Sequence, residues 1–136
     1  MTDPRDQGLM PTLRGVRVLL AEDEPMAAKL ARGVLRTMGI TEVTHVTDGS
    51  QALKALDAAE GKFELIISDW NMPKVNGIEF LRQVRLMHPN MKFLMLTGHA
   101  DREIVLAAKQ NRVDAYVVKP FSPGQLKAKV ETLLKF

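Results

Sequence analysis

Residues 63–87 run FELIISDWNMPKVNGIEFLRQVRLM and hold two periodicities side by side. Phe63–Ser68 is a short apolar run that stops at Asp69. A run this apolar, bounded by Gly and Asp, suits a strand buried on both faces, as in a parallel sheet. Beyond Asn76-Gly77 the pattern changes. Ile78, Leu81 and Val84 recur at helical spacing, and the stripe closes before Pro89. That predicts an amphipathic helix. A strand followed by a helix is the repeating unit of an α/β protein.

The unit recurs on either side. Val16–Ala21, Met91–Thr97 and Asp114–Val118 are similar apolar runs and are expected to be buried strands. Glu42–Val46 is more polar and alternates, as an edge strand does. Ala27, Leu30, Ala31, Val34, Leu35 and Met38 form one helical stripe. Pro25 suits its first turn and Gly39 the position just past its end. Gly33 inside that helix should cost up to ~1 kcal/mol relative to Ala, and a close helix–sheet contact is one reason to keep it. Ala52, Leu53, Leu56 and Ala59 form a second stripe, and Asp101–Asn111 forms a fourth, capped by Asp101. Leu126, Val130, Leu133 and Leu134 form a fifth, opened by Ser122-Pro123. Five strands alternating with five helices predict an α/β fold, a doubly wound five-stranded parallel sheet covered on both faces. The strand order 2-1-3-4-5 is favoured. It places a ligand beyond the carboxyl ends of the first and third strands, where the order switches.

Composition narrows the function classes. The chain has 136 residues, the size of one domain. Residues 1–14, MTDPRDQGLMPTLR, carry two prolines, a glycine and no period. They read as a flexible lead-in to a domain over 15–136, and they lack the apolar segment of a secretory signal. Cys is absent, which excludes disulfides, thiolate metal sites and cysteine nucleophiles and suits a reducing, cytoplasmic compartment. No apolar run approaches the ~20 residues a bilayer span needs, so no membrane insertion is expected. The net charge is only +3 and aromatics are 5%, with no block of like charges, so nucleic acid is not an expected partner.

The informative residues stand at the predicted carboxyl ends. The first strand ends in Glu22-Asp23-Glu24, the third in Asp69, the fourth in Thr97 and the fifth in Lys119-Pro120. Carboxylates at ~4 Å repel by roughly 4 kcal/mol per pair at an effective dielectric of ~20. Either one takes a proton or a cation settles among them. Hard oxygen ligands at a cleft mouth suit Mg²⁺. Lys119 and Thr97 would stabilise a phosphoryl group transferred onto a carboxylate. Glu24, before Pro25, reads equally well as a solvated cap.

SDWNMPKVNG around Asp69, AEDE after the first strand, Thr97-Gly98 and YVVKPF at 116–121 together resemble the receiver domains of bacterial response regulators, above all the single-domain, CheY-like chemotaxis regulators. The resemblance runs from about Val16 to Phe136. It implies the flavodoxin/CheY-like fold and a set of roles. Asp69 would be the phosphoacceptor, charged by a sensor histidine kinase or histidine phosphotransfer protein. Asp23 and Asp69 would bind Mg²⁺ directly, Asn71 through its backbone carbonyl and Glu22 through water. Thr97 and Lys119 would bond the phosphoryl oxygens. Tyr116 would be the switch aromatic that follows Thr97. Asn71 and His99 would modulate dephosphorylation, and Lys119-Pro120 would be joined by a cis bond. An effector would bind the surface of the fourth helix, fifth strand and fifth helix, in chemotaxis, motility or a phosphorelay. The only enzymatic acts implied are self-phosphorylation from a phosphodonor and autodephosphorylation.

Three other readings compete. A Mg²⁺-dependent aspartyl-phosphate phosphatase would place a second Asp where Asn71 stands. A flavin mononucleotide carrier would need a phosphate loop where the acidic AEDEP stands. A receiver-shaped module that binds a partner constitutively would need no phosphoryl chemistry. His45 and His88 read as surface histidines, and Met10, Met72, Met87, Met91 and Met95 as core or loop filler. Trp70, the only tryptophan, reads as a partly exposed reporter of the site. Lys127, Lys129 and Lys135 read as a solvated helix face that could also meet an acidic partner.

Overall fold

The computed structural model describes residues 13, 15–98 and 102–134. The elements are β1 (Arg17–Ala21), α1 (Pro25–Thr37), β2 (Glu42–Val46), α2 (Gly49–Ala58), β3 (Leu65–Asp69), α3 (Gly77–Met87), β4 (Phe93–Thr97), α4 (Arg102–Gln110), β5 (Ala115–Val118) and α5 (Pro123–Leu134). All five strands are parallel, in the order β2-β1-β3-β4-β5. No helix among the described residues is long and apolar enough to cross a membrane.

Strand alternation builds two cores. Val18 and Leu20 of β1 join Leu35, Leu126 and Val130 on the face covered by α1 and α5. Leu19 and Ala21 join Leu56, Phe80 and Leu81 on the face covered by α2 and α3. Period-two geometry sends neighbours to opposite faces, so a sheet covered twice must be apolar at every position. The inner strands β3 and β4 are buried at every residue. Phe80 and Phe93 are fully buried with ring centroids 5.6 Å apart, and burying each such side chain contributes roughly 1.5–3 kcal/mol. Leu13, placed by the sequence in the lead-in, is buried in the first core.

Three expectations are corrected. Residues 114–118 were expected to form a strand buried on both faces, yet β5 is half-exposed, with only Val117 buried. It is the sheet edge that the strand order requires, and its composition resembles an inner strand. Phe63 and Met91 are buried but precede their strands, because their N–H groups close turns onto Gly61 O and His88 O. Gly33 makes no close contact, since a Cβ there would meet nothing within 4 Å.

The helix ends follow from the sequence. Asn76 Oδ1 accepts from Glu79 N–H at 2.9 Å to cap α3. Ser122 and Gln125 exchange bonds of 2.8 and 3.1 Å at the start of α5, a reciprocal capping box. Gly39, at φ +89°, closes α1 with bonds from its own N–H to Arg36 O and from Ile40 N–H to Leu35 O. That pair of bonds is the Schellman arrangement. Asp101, expected to cap α4, lies outside the described residues.

Candidate functional site

β1 and β3 are neighbours while their following helices cover opposite faces, so a cleft opens above their carboxyl ends. It encloses about 880 Å³. Asp23, Asp69, Thr97 and Lys119 line it together with the apolar Met26, Leu30 and Phe121.

The β1 ladder runs one residue past the strand, with Glu22 N–H donating to Val46 O at 3.0 Å. Glu22 is fully buried, and Asp23 beside it is exposed. Asp69, the last residue of β3, is 5% exposed. Carboxylate oxygens of Glu22, Asp23 and Asp69 all lie within 4.8 Å of one another. Lys119 reaches into this group. Its Nζ stands 2.6 Å from Glu22 Oε1, 3.2 Å from Asp69 Oδ2 and 3.5 Å from Glu24 Oε2. Glu24 therefore faces the cluster and makes no side-chain cap on α1.

Three carboxylates around one ammonium leave the cluster short of positive charge. Burial pushes the Glu22 carboxyl up to about 7, and the Asp69 charge adds to the rise. The nearby Lys119 ammonium and the bond from Glu24 N–H oppose it. Burial alone would lower the Lys119 pKa, but the Glu22 and Asp69 carboxylates hold it above its ordinary value. Among the described residues, Glu22 Oε1 is the one buried side-chain oxygen with no aligned hydrogen-bond donor. The Lys119 ammonium meets it as a charge partner, off the hydrogen-bond axis. Hard oxygens gathered within 4.8 Å and an acid held back from ionising are what a small divalent cation satisfies. The donor set fits Mg²⁺.

The Asp69 carboxylate is held on both sides. Asn71 N–H donates to Oδ1 at 3.3 Å, and Lys119 Nζ meets Oδ2. Behind it the chain doubles back, with Gly77 N–H donating to Trp70 O at 2.7 Å. A Cβ at Gly77 would lie 2.2 Å from Asp69 O and 2.5 Å from Trp70 Cα, so only glycine permits this approach. Thr97 is 1% exposed, and its carbonyl accepts from Lys119 N–H at 2.6 Å. The Lys119-Pro120 bond is cis. Tyr116 is half-buried on β5 against the second core, in register with Met95. His99 lies outside the described residues.

Sequence reasoning missed several contributors. Asp48, 4% exposed, caps α2 by accepting from Gln51 N–H at 2.8 Å. Its signal was present, because Asp followed three residues later by Gln marks a helix start. The His45 contact to the Glu22 carbonyl, 2.9 Å, had no signal, since a backbone acceptor leaves no mark in a sequence. Buried Arg85 on α3 was missed for the same reason.

An acid-rich switch point on a 2-1-3-4-5 sheet, with a lysine reaching in from the fifth strand end, is the arrangement of a signalling receiver. The chain belongs to the response regulator receiver domain family, which it matches over residues 18–131. It is 36% identical over 124 residues to the chemotaxis protein CheY of Pseudomonas aeruginosa, covering 88% of this chain and 97% of that protein. It is 32% identical over 126 residues to chemotaxis protein CheY-3 of Vibrio cholerae, covering 90% and 94%. The solved structure of the chemotaxis response regulator CheY4 of Vibrio cholerae is 30% identical, with a TM-score of 0.76 over 87% of this chain and 98% of that one.

Proposed function

We propose that this protein is a stand-alone, cytoplasmic receiver that takes a phosphoryl group on Asp69 and signals in trans. One observation carries the reading: the Asp69 carboxylate meets Lys119 Nζ at 3.2 Å while Glu22 and Asp23 gather beside it at the mouth of the cleft. An Asp69 oxygen attacks the phosphorus of a phosphohistidine on a sensor kinase or phosphotransfer protein. A P–O bond forms, the P–N bond breaks, and the imidazole leaves as a neutral ring after taking up a proton. Lys119 follows the phosphoryl oxygens, and the Thr97 hydroxyl donates to one of them. Water later attacks the same phosphorus, releasing inorganic phosphate and restoring Asp69.

Asp23 and Asp69, with the Asn71 carbonyl, would hold Mg²⁺, and Glu22 would hold one of its waters. When bound, the ion neutralises charge on the phosphoryl oxygens. The acyl phosphate carries about −1.5 to −2 charges where the Asp69 carboxylate carried one, in a cluster already short of positive charge. Lys119 then divides its bonds differently. Because its N–H is tied to Thr97 O, the ends of β4 and β5 feel the change together. Next to them lies a thinly anchored surface. α4 buries only Ala108 among its described residues, and Leu106 and Val118 are exposed. That face, with Tyr116 turning as Thr97 moves, is the effector surface, a two-state element biased by one local charge. Kinship with chemotaxis proteins favours a motility or phosphorelay partner.

The test is Trp70 fluorescence during titration with Mg²⁺ and then acetyl phosphate, beside intact mass. The expected result is a Mg²⁺ response followed by gain of one phosphoryl group, abolished in Asp69→Asn. An unchanged mass with a saturating donor would leave a constitutive binding module as the reading. Turnover of free phosphomonoesters would favour a phosphatase, against which Asn71 stands where that chemistry needs a second acid.

A further inference from the structure

His45 sits on β2, the polar edge of the sheet, and is exposed. Its ring nevertheless turns along the strand end to reach the acidic loop, with Nε2 2.9 Å from the backbone oxygen of Glu22. A carbonyl oxygen only accepts, so Nε2 carries the proton and donates. The neutral Nε2–H tautomer and the imidazolium both do this, so the contact survives a change in the charge of the ring.

The position of this bond matters more than its strength. The last backbone rung between β1 and β2 runs from Glu22 N–H to Val46 O. Beyond it one chain enters α1 and the other enters α2. Glu22 O is the next backbone acceptor, where ladder pairing has ended, and a side chain takes over there. That oxygen belongs to the peptide plane joining Glu22 to Asp23. The plane is rigid. Fixing its oxygen fixes how the plane is turned, and with it the directions of two consecutive carboxylates, Glu22 inward and Asp23 outward. Three hydrogen bonds then converge on Glu22: its own N–H to Val46 O, Glu24 N–H to Oε2 at 3.0 Å, and His45 to its carbonyl.

We infer that His45 is a positioning residue for the divalent-cation site, setting its affinity by holding the Glu22–Asp23 peptide plane without touching the ion. The inference rests on the functional reading given above. Partners that orient metal ligands from outside the coordination sphere typically change affinity about 10-fold or more when removed.

The experiment measures Mg²⁺ dissociation constants through Trp70 fluorescence, and initial phosphorylation rates at limiting and saturating Mg²⁺. The proteins are the full-length wild type, His45→Phe and His45→Gln. Phe keeps a ring and removes the donor, whereas the Gln amide nitrogen lies at nearly the same reach as Nε2. The expected result is Mg²⁺ affinity weakened by about 10-fold in His45→Phe and restored near wild type in His45→Gln. Phosphorylation should fall at limiting Mg²⁺ and recover at saturation, with melting temperatures that do not track the affinities. A His45→Phe variant matching wild type overturns the inference and leaves the functional reading standing. Equal weakening in Phe and Gln also overturns it, by assigning the effect to the ring itself. A wild type that ignores Mg²⁺ overturns the functional reading, and this inference with it.

Discussion

The sheet carries a buried charge cluster at each end, and the two are built on opposite terms. At the amino ends of β4 and β5, Arg85 is 7% exposed and its donors are matched. Nη1 donates to Met91 O at 2.7 Å, Nη2 to Arg112 O at 2.7 Å and to Asp114 Oδ2 at 2.9 Å, and Nε to Arg112 O at 3.1 Å. Asp114 Oδ2 also accepts from Phe93 N–H at 2.7 Å. One cation meets one anion and a set of carbonyls, and nothing is left over. At the carboxyl ends three acids share one lysine, one acid is pushed up to about 7, and a buried oxygen lacks an aligned donor. A closed cluster locks the fold in place. An open one has free energy left to release when a ligand arrives.

The comparison is broken most sharply by exchanging one cation at each end. Arg85→Met strands Asp114 and several carbonyls. It should lower stability by about 3 kcal/mol, the low end for a broken buried pair because Asp114 is partly exposed. Urea denaturation measures this, and the folded fraction should still be phosphorylated normally. Lys119→Met should do the reverse. Phosphorylation from acetyl phosphate should slow by about 100-fold, as expected for loss of one preorganised donor. Its denaturation midpoint should move far less than that of Arg85→Met, because Glu22 can take up a proton in place of its partner. Equal stability losses in the two variants would erase the distinction.

A subtler effect belongs to pH. The Glu22 carboxyl is raised in the folded protein from 4.5 to about 7, so the native state holds a proton that the unfolded chain releases. Between those two values the unfolded state binds fewer protons at this group, so the Glu22 contribution to stability falls as pH rises. Thermal melts in EDTA should show that decline between about pH 4.5 and 7 and a levelling above it. Glu22→Gln should flatten the window. A wild type whose pH profile ran parallel to that of Glu22→Gln would contradict the assignment.

The smallest effect belongs to a control away from both clusters. Gly33→Ala, on the exposed side of α1 with open space around it, should raise stability by up to ~1 kcal/mol and leave phosphorylation unchanged.

The legible part of this protein is the part governed by period. Apolar runs and helical stripes gave the elements and their order. Strand ends gave the site, because a parallel sheet brings its carboxyl ends together whatever the loops do. Asp69, Glu22, Asp23, Thr97 and Lys119 can therefore be read from strand ends alone. Contacts to backbone carbonyls were illegible. Arg85 and His45 both act that way, and any residue type can present such an acceptor. Edge status was illegible from composition as well: Ala115–Val118 reads like an inner strand, and only the strand order exposes it. Gly77 was readable as a helix start but not as the place where the chain lies against Asp69 O.

Glu22 inside and Asp23 outside are a matter of parity. Glu22 N–H still makes the last rung of β1, and the next residue, Asp23, points the other way, so each side chain's destination is counted from the sheet. The site is thus addressed by an odd-or-even count, whereas a loop site is addressed by shape. Inserting one residue directly after Ala21 would scarcely alter composition or charge, yet it would shift Glu22 to the outward position. The spacing of these few residues behaves like a reading frame.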